Sequence, residues 1–187
     1  YYLWYIKWFW IFYFWKKNDL FYINGSILND NRNFDVQNFK KLGGIFLSNV
    51  DLKKIIFSSK NDFSFNISKK FKIKDLKINS IIDLNELDIN ENSFNLKSYL
   101  PNSSEIIKLE NHKIKISFTK NILDITGDGN FLLKDKTDFL TYKIIKKDNQ
   151  ILFDTKIDIK NNKLNINFLD YEIKEGTESN ISIKGIR

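Results

Sequence analysis

The chain has 187 residues, of which 42% are hydrophobic and 16% aromatic, and its net charge is +7. This apolar content excludes a disordered chain and suits one compact domain or one segment of a longer, elongated protein. The absence of cysteine excludes disulfides and thiolate metal sites. Arg32 and Arg187 are the only arginines. Because phosphate and base recognition favours arginine, we interpret the many lysines as solvated strand faces.

Residues 1–15 are the most aromatic stretch and hold all four tryptophans, with Lys7 as the only charge. Three interpretations stay open: the end of a truncated membrane anchor, an interfacial segment, and aromatic strands of the folded body. The chain does not begin with Met, so we expect a piece of a longer protein. We therefore separate an aromatic-rich, membrane-proximal segment at residues 1–17 from a β-rich segment at residues 18–187.

From Leu20 onward, apolar residues recur at every second position, as in strands with one buried and one solvated face. The apolar positions change from odd-numbered to even-numbered residues between Ile73 and Leu76, which predicts a bulge or short turn near Asp75. Consecutive strands joined by short turns form an antiparallel meander, so the sequence predicts an all-β fold. The turn signals lie at residues 127–130, 147–150, 161–162 and 175–180.

Two short helices interrupt this pattern. Residues 35–42 predict one helix, with Asp35 as its N-cap and Gly43 after its end. Residues 103–109 predict a second helix of about two turns. Neither would cover a sheet of this length. The strands must therefore bury their apolar face on each other, on neighbouring parts of a larger protein, or on an apolar ligand.

Candidate chemical groups are few. His112 is the only histidine, and its polar neighbours predict a surface position in a turn before a strand. Residues 124–130 (DITGDGN) have the oxygen spacing of a calcium loop, but Asp135 stands where the bidentate Glu belongs, which favours a hairpin turn. We predict no catalytic residue, metal site or cofactor, and a protein that is not an enzyme. The remaining carboxylates of interest fall where the pattern places solvent: Asp83, Glu86, Asp88 and Glu91.

Residues 96–185 carry a fixed order of features that resembles the AsmA-like superfamily of bacterial envelope proteins, which includes the TamB and YhdP types. The Trp-rich start of the chain departs from that pattern. The features are a Tyr-Leu-Pro run at 99–101 with a short helix, a strand, a hairpin at Gly127 and Gly129, a strand with Thr141, Tyr142 and Ile144, a strand end at 169–171, and a closing strand ending in Gly185.

The resemblance implies an elongated, curved, taco-like sheet with one apolar face, on the periplasmic side of the inner membrane in the cell envelope. Its apolar groove would shield phospholipid acyl chains and conduct them toward the outer membrane. The partners implied are those acyl chains, the remaining β repeats of the parent protein, and the inner membrane through an anchor outside this piece, without nucleic acid. The candidate groove residues are Phe63, Phe65, Ile67, Ile116, Phe118, Tyr142, Ile144, Phe153, Ile157, Ile166 and Phe168.

Alternatives to this hypothesis stay open. For each groove candidate, ordinary core packing explains the alternation equally well, because periodicity does not tell what covers an apolar face. A structural or protein-interaction β module of the envelope, without lipid cargo, has the same strand pattern. A nucleic-acid-binding β domain is a more distant alternative, suggested by the lysines and aromatics.

Overall fold

The computed structural model describes residues 10–17, 20–43, 50–93, 97, 104–133, 136–166 and 170–187. They form mostly antiparallel β-structure, which confirms the predicted all-β fold class. One helix, α1, spans Val36–Gly43, and one 3₁₀ turn spans Glu91–Ser93. The strands are β1 (Trp10–Lys17), β2 (Leu20–Asn33), β3 (Leu52–Ser68), β4 (Ile73–Asn90), β5 (Ile106–Thr119), β6 (Ile122–Leu133), β7 (Lys136–Lys147), β8 (Gln150–Ile159), β9 (Leu164–Ile166), β10 (Tyr171–Ile173) and β11 (Ser179–Ile186).

Nine strands form one sheet in the order β1-β2-β3-β4-β5-β6-β7-β8-β11, and β9 pairs with β10 separately. Each strand of the large sheet pairs antiparallel with the next one in the chain until β8. The β9–β10 pair intervenes there, and β11 returns to lie beside β8. The strands therefore form the predicted meander, with β1 and β11 as the edges of the described sheet.

Positive backbone φ angles mark tight turns and bulges. Lys120 and Asn121 form the two-residue β5–β6 loop with φ of 50° and 60°, the type I′ geometry that matches the twist of the flanking strands. Asp148 has φ of 52° in the β7–β8 turn. Asp75, with φ of 52°, lies at a register shift between β3 and β4, which confirms the predicted bulge.

Helix α1 confirms the first predicted helix to within one residue. The Asn38 backbone N–H donates to the Asp35 carboxylate over 2.7 Å, as an N-cap requires. Phe39 contacts Phe57 of β3 edge-on, with ring centroids 5.8 Å apart. Phe34 stacks on the same Phe57 ring at 4.3 Å. The helix is thereby fixed over the start of β3.

The second predicted helix is wrong. Of residues 103–109, residue 103 lies outside the described residues, and from Ile106 the chain runs in β5. Ile107 is only 5% exposed and pairs with Ile89 on one side and Leu133 on the other. Burial between two neighbouring strands therefore outweighs the local capping signal at residues 103–104.

The predicted turn at residues 127–130 is also wrong, because this segment lies inside β6. Gly127 and Gly129 are buried, and each is covered by a ring of an adjacent strand instead of forming a turn. The other three turn predictions are confirmed in part or in full, because turns or bends occur at residues 148–149, 161–162 and 175–176.

The two sides of the sheet differ in polarity. The apolar face carries most of the Ile, Leu and Phe side chains from β3 to β8, and the polar face carries alternating lysines and acids. One end of the apolar face, the capped half, contains the buried hydrophobic side chains of the sheet. They are Leu52, Ile55, Leu84, Ile89, Ile107, Phe131, Leu133 and Ile159.

Within the described ranges, the elements that cover the apolar face are α1 and the β9–β10 pair, both at the capped half. The β9–β10 pair places Leu164 and Ile173 against Ile159. Asp138, only 5% exposed, holds the chain that leads into β9. Its carboxylate accepts hydrogen bonds from the Lys160 and Asn161 backbone N–H groups, each 2.9 Å long, and one of 2.8 Å from the Asn162 amide.

Candidate functional site

The other end of the apolar face, the open half, consists of rows of side chains that face each other across the strands. Directly opposite residues in such rows have Cβ atoms about 5 Å apart, so each row forms a continuous surface. One row runs through Phe63, Ile78, Phe118 and Leu123. The next runs through Ile116, Ile125, Ile144 and Phe153. These side chains are half-buried or, for Phe153, 37% exposed.

The structure brings nine of the predicted groove residues together on the apolar face, although their use as a groove stays a prediction. Ile166 lies instead in β9, packed beside the buried cluster of Ile159, Leu164 and Ile173. Phe168 lies outside the described residues. The nine are Phe63, Phe65, Ile67, Ile116, Phe118, Tyr142, Ile144, Phe153 and Ile157.

Rings cover glycines at several points of the apolar face. A Cβ on Gly127 would overlap the Tyr142 ring, and one on Gly185 would overlap the ring of Phe153. Phe63 covers Gly25 in the same way on the same face, nearer the β1 edge of the sheet. Each ring shields the backbone of the neighbouring strand at its glycine. A residue larger than glycine at that position would leave no room for the ring.

His112 is fully buried on the apolar face, so its predicted surface position is wrong. The reason is a register shift between β5 and β6 at Asn111, whose φ of 56° turns the next side chain inward. The His112 Nε2–H donates to the Asn130 carbonyl oxygen over 2.9 Å. Burial lowers the pKa of His112 because it disfavours the imidazolium, and the hydrogen bond offsets this only in part.

Tyr142 lies beside His112, with ring centroids 5.8 Å apart. Burial raises the pKa of Tyr142 to about 12, with a smaller contribution from Asp128. Both ring side chains are therefore uncharged near neutral pH. The centre of the apolar face carries no ionised group from this pair, which suits contact with an uncharged, apolar ligand.

Polar side chains interrupt the apolar face on β3 and β4, a feature that the alternation did not predict. Ser59 and Ser80 are buried there, at 9% and 7% exposure. The Asn61 amide donates to the Ser59 hydroxyl over 3.0 Å and to the Ile27 carbonyl over 3.3 Å. Asn61 and Ser59 therefore satisfy each other within the sheet. The most apolar part of the open half therefore runs from β5 to β8, where Lys146, opposite Leu123, is the charged residue on this face.

The polar face pairs its carboxylates with lysines. Glu86 accepts a hydrogen bond from Lys54 over 2.7 Å and lies 3.7 Å from Lys108. The hydrogen bond from Lys54 is the main reason that the pKa of Glu86 is lowered. Burial raises the pKa of nearby Asp88. These groups form a partly exposed ion-pair network, whose contribution to stability is weakened because water and salt screen it.

Glu91 is an exception among the four carboxylates predicted to face solvent, because it is only 3% exposed. Its carboxylate accepts a hydrogen bond of 2.7 Å from the Lys97 backbone N–H. The Glu91 backbone N–H in turn donates to the Glu105 carbonyl over 2.8 Å. Glu91 therefore links segments of the connection between β4 and β5 through its side chain and its backbone, and the prediction of a solvated position for Glu91 is wrong.

The calcium-loop spacing lies inside a strand. Asp124, Thr126 and Asp128 occupy alternate positions of β6, about 6.6 Å apart along an extended chain, so their oxygens do not converge on one point. Lys143 lies 3.8 Å from Asp124. Within the described ranges, no group of three or more His, Cys, Asp or Glu residues is placed to hold a metal ion.

Part of the aromatic N-terminal stretch belongs to the sheet, since β1 pairs with β2 from Trp10 to Lys17. This agrees with the interpretation of these residues as strands, whereas residues 1–9 lie outside the described residues. In the part of the chain that the structure describes, no helix has the length and apolar character to cross a membrane. The membrane-anchor and interfacial interpretations of residues 1–9 stay predictions.

Comparison with known proteins identifies no relative. No protein-family model, no curated protein and no solved structure matches the chain. The resemblance to the AsmA-like superfamily therefore stays a prediction from spacing and turns. Of the residues quoted for it, 99–101 and 169 lie outside the described residues, and the Gly127–Gly129 hairpin is a strand interior.

Proposed function

We propose that the open half of the apolar face shields phospholipid acyl chains. In this proposal the chain is a non-enzymatic part of a periplasmic, inner-membrane-anchored protein that conducts phospholipid toward the outer membrane. The observation that supports it is the position of the covering elements. Both α1 and the β9–β10 pair lie on the capped half, and the described elements leave the rows of the open half uncovered.

The dimensions of the open half suit an acyl chain. Neighbouring strands lie about 4.8 Å apart, so the part from β5 to β8 is about 15 Å wide. This is about half the thickness of a bilayer hydrocarbon core, the distance that one acyl chain spans. Each CH₂ group removed from water contributes about 0.8 kcal/mol, so partial cover of one chain suffices for measurable binding.

The chemistry of the two faces supports the same proposal. The apolar face presents Phe118, Ile144 and Phe153, with the uncharged ring of Tyr142 beside Ile144. The row through Ile116, Ile144 and Phe153 carries no charged side chain from β5 to β8, so an alkyl chain that lies along it desolvates no charge. The polar face keeps its lysine–carboxylate pairs in water. Backbone polar groups inside the sheet are paired, which leaves none facing the ligand.

The envelope location and the partner repeats rest on the sequence resemblance. The edge strands β1 and β11 each have one side without a partner strand among the described residues. Such edges are templates for further strands, so neighbouring repeats of a parent protein would lengthen the same apolar face. The inner-membrane anchor belongs to the same hypothesis.

A matched pair of substitutions tests the lipid proposal. Phe153 on the apolar face and Leu152 on the polar face are neighbours in β8 with nearly equal exposure, 37% and 38%. We expect the chain purified from bacterial membranes and periplasm to carry phospholipid in native mass spectrometry. Phe153→Asp should abolish that load, because a carboxylate then lies in the path of the acyl chain. Leu152→Asp should retain it at a similar melting temperature.

Loss of lipid in both variants, or in neither, would contradict an acyl-chain site on the open half. A folded wild-type chain that carries no phospholipid would favour the alternative function, a structural β module of the envelope. The edge strands support that alternative, since their exposed backbone groups suit pairing with another protein. Under it, Phe153→Asp should change the melting temperature only.

A further inference from the structure

The hairpin turns β3–β4, β5–β6 and β7–β8 lie together at one end of the sheet, because successive strands of a meander alternate in direction. The end of β11 joins them, since Arg187 and Ile151 exchange two backbone hydrogen bonds of 2.9 Å. We call this end of the sheet the rim. It borders the open half, whereas α1 and the β9–β10 pair lie at the opposite end.

The rim is strongly basic. Within its described turns, the acidic residues are Asp75 and Asp148. Elsewhere on the sheet, lysines alternate with acids, and several pair with them, as Lys184 does with Asp154 at 2.9 Å. The rim therefore holds much of the net charge of +7. Its basic residues are Lys69, Lys70, Lys72, Lys74, Lys120, Lys146, Lys147 and Arg187.

The rim also carries the most exposed large hydrophobic side chains of the described residues: Phe71 at 89%, Ile186 at 71% and Ile73 at 61%. Phe71 lies between Lys70 and Lys72 in the β3–β4 turn, with φ of 55°. Single exposed apolar side chains are common on protein surfaces. Here the three lie at one end among lysines, the arrangement of proteins that bind membrane interfaces.

We infer that the rim docks on the surface of an anionic lipid bilayer, with Phe71 entering the headgroup layer and the rim lysines contacting lipid phosphates. A nucleic acid fits this surface less well, because Ile73 and Ile186 offer no π face for base stacking and the rim has one arginine. Docking needs no cargo on the apolar face, so the inference goes beyond the proposed function. It places the open half beside a membrane.

Co-sedimentation of the full chain with vesicles tests the docking. We expect binding to phosphatidylethanolamine vesicles that contain phosphatidylglycerol, and none without it. Affinity should fall at least about tenfold when NaCl is raised to about 0.5 M, where the Debye length is about 4 Å. Lys70→Glu with Lys72→Glu should weaken binding at least about tenfold. The matched control, Lys41→Glu with Lys174→Glu, makes the same charge change away from the rim and should alter affinity less than about twofold.

Phe71→Ser tests insertion separately from charge. Because Phe71 is 89% exposed, this change should leave the melting temperature unchanged and lower vesicle affinity about fivefold. The inference would be overturned if the rim pair and the control pair of charge changes weakened vesicle binding equally. It would also be overturned if Phe71→Ser bound vesicles as tightly as the wild type, or if a single-stranded oligonucleotide competed fully with the vesicles. Phe153→Asp keeps the rim intact and should still bind vesicles, which separates this inference from the proposed acyl-chain site.

Discussion

The capped and open halves of one apolar face differ in what covers them, although both consist of Ile, Leu and Phe. In the capped half, Leu133 and Ile159 are each only 2% exposed, with α1 and the β9–β10 pair lying over this end of the face. In the open half, Ile125 and Ile144 are half-buried between strand neighbours. The same residue types therefore support folding at one end and remain available for a ligand at the other.

The largest expected effect tests this difference in burial directly. Leu133→Ala should lower the free energy of unfolding by about 3 kcal/mol, because it leaves a cavity in a closed core. The matched Ile125→Ala on the open half should cost about 1 kcal/mol, since its surroundings are already partly open. Urea unfolding measures both. Equal losses would mean that the open half is packed as tightly as the capped half.

An intermediate effect compares two glycines under rings. A Cβ on Gly129 would overlap both the His112 ring and the His112 backbone, which are fully buried and have no room to move. Gly129→Ala should therefore destabilise the fold by about 2 kcal/mol. Gly185 lies in edge strand β11 under the exposed Phe153 ring, which is free to swing away. Gly185→Ala should cost less than about 0.5 kcal/mol in the same denaturation assay, and a reversed order would contradict the packing described.

The smallest expected effect is the pH dependence contributed by His112. Its pKa in the folded chain is lowered below the ordinary value of 6.5, so the unfolded chain binds the proton more tightly. The stability that neutral, buried His112 contributes is complete above pH 6.5. It is lost as the pH falls from 6.5 toward the lower pKa of the folded state, because the unfolded chain takes up the proton first. Chemical denaturation between about pH 7.5 and 5 should show a decline that is shallower in His112→Phe. Equal slopes would show that His112 is not buried and neutral.

The sequence predicted the elements that depend on local signals. Alternation from Leu20 onward, the Asp35 cap and the parity change near Asp75 each have a local cause, and each is confirmed. The failures have long-range causes. Ile107 lies in a strand because β4 and β6 bury it, and His112 is buried because of the bulge at Asn111.

The candidate site was predictable only in part, for the same reason. Alternation placed nine groove candidates on one face correctly, because it depends on the period-two geometry of a strand. Ile78, Leu123 and Ile125 follow the same alternation and complete the rows, but the groove candidates do not include them, because membership in a row depends on register. Nor did alternation distinguish Ile166 in the β9–β10 pair, since what lies over a sheet is decided by distant parts of the chain.

The neighbour-to-neighbour pairing from β1 to β8 bears on how such a chain folds and varies in length. The β3–β4, β5–β6 and β7–β8 hairpins close short loops, and longer connections at residues 34–51 and 91–105 join them. The sheet can therefore assemble by addition of one hairpin to the next, because the entropy cost of loop closure grows only slowly with loop length. A hairpin inserted or deleted between two others would leave the remaining registers unchanged, much as in repeat proteins. The width of the apolar face can therefore evolve in steps of two strands, about 10 Å each.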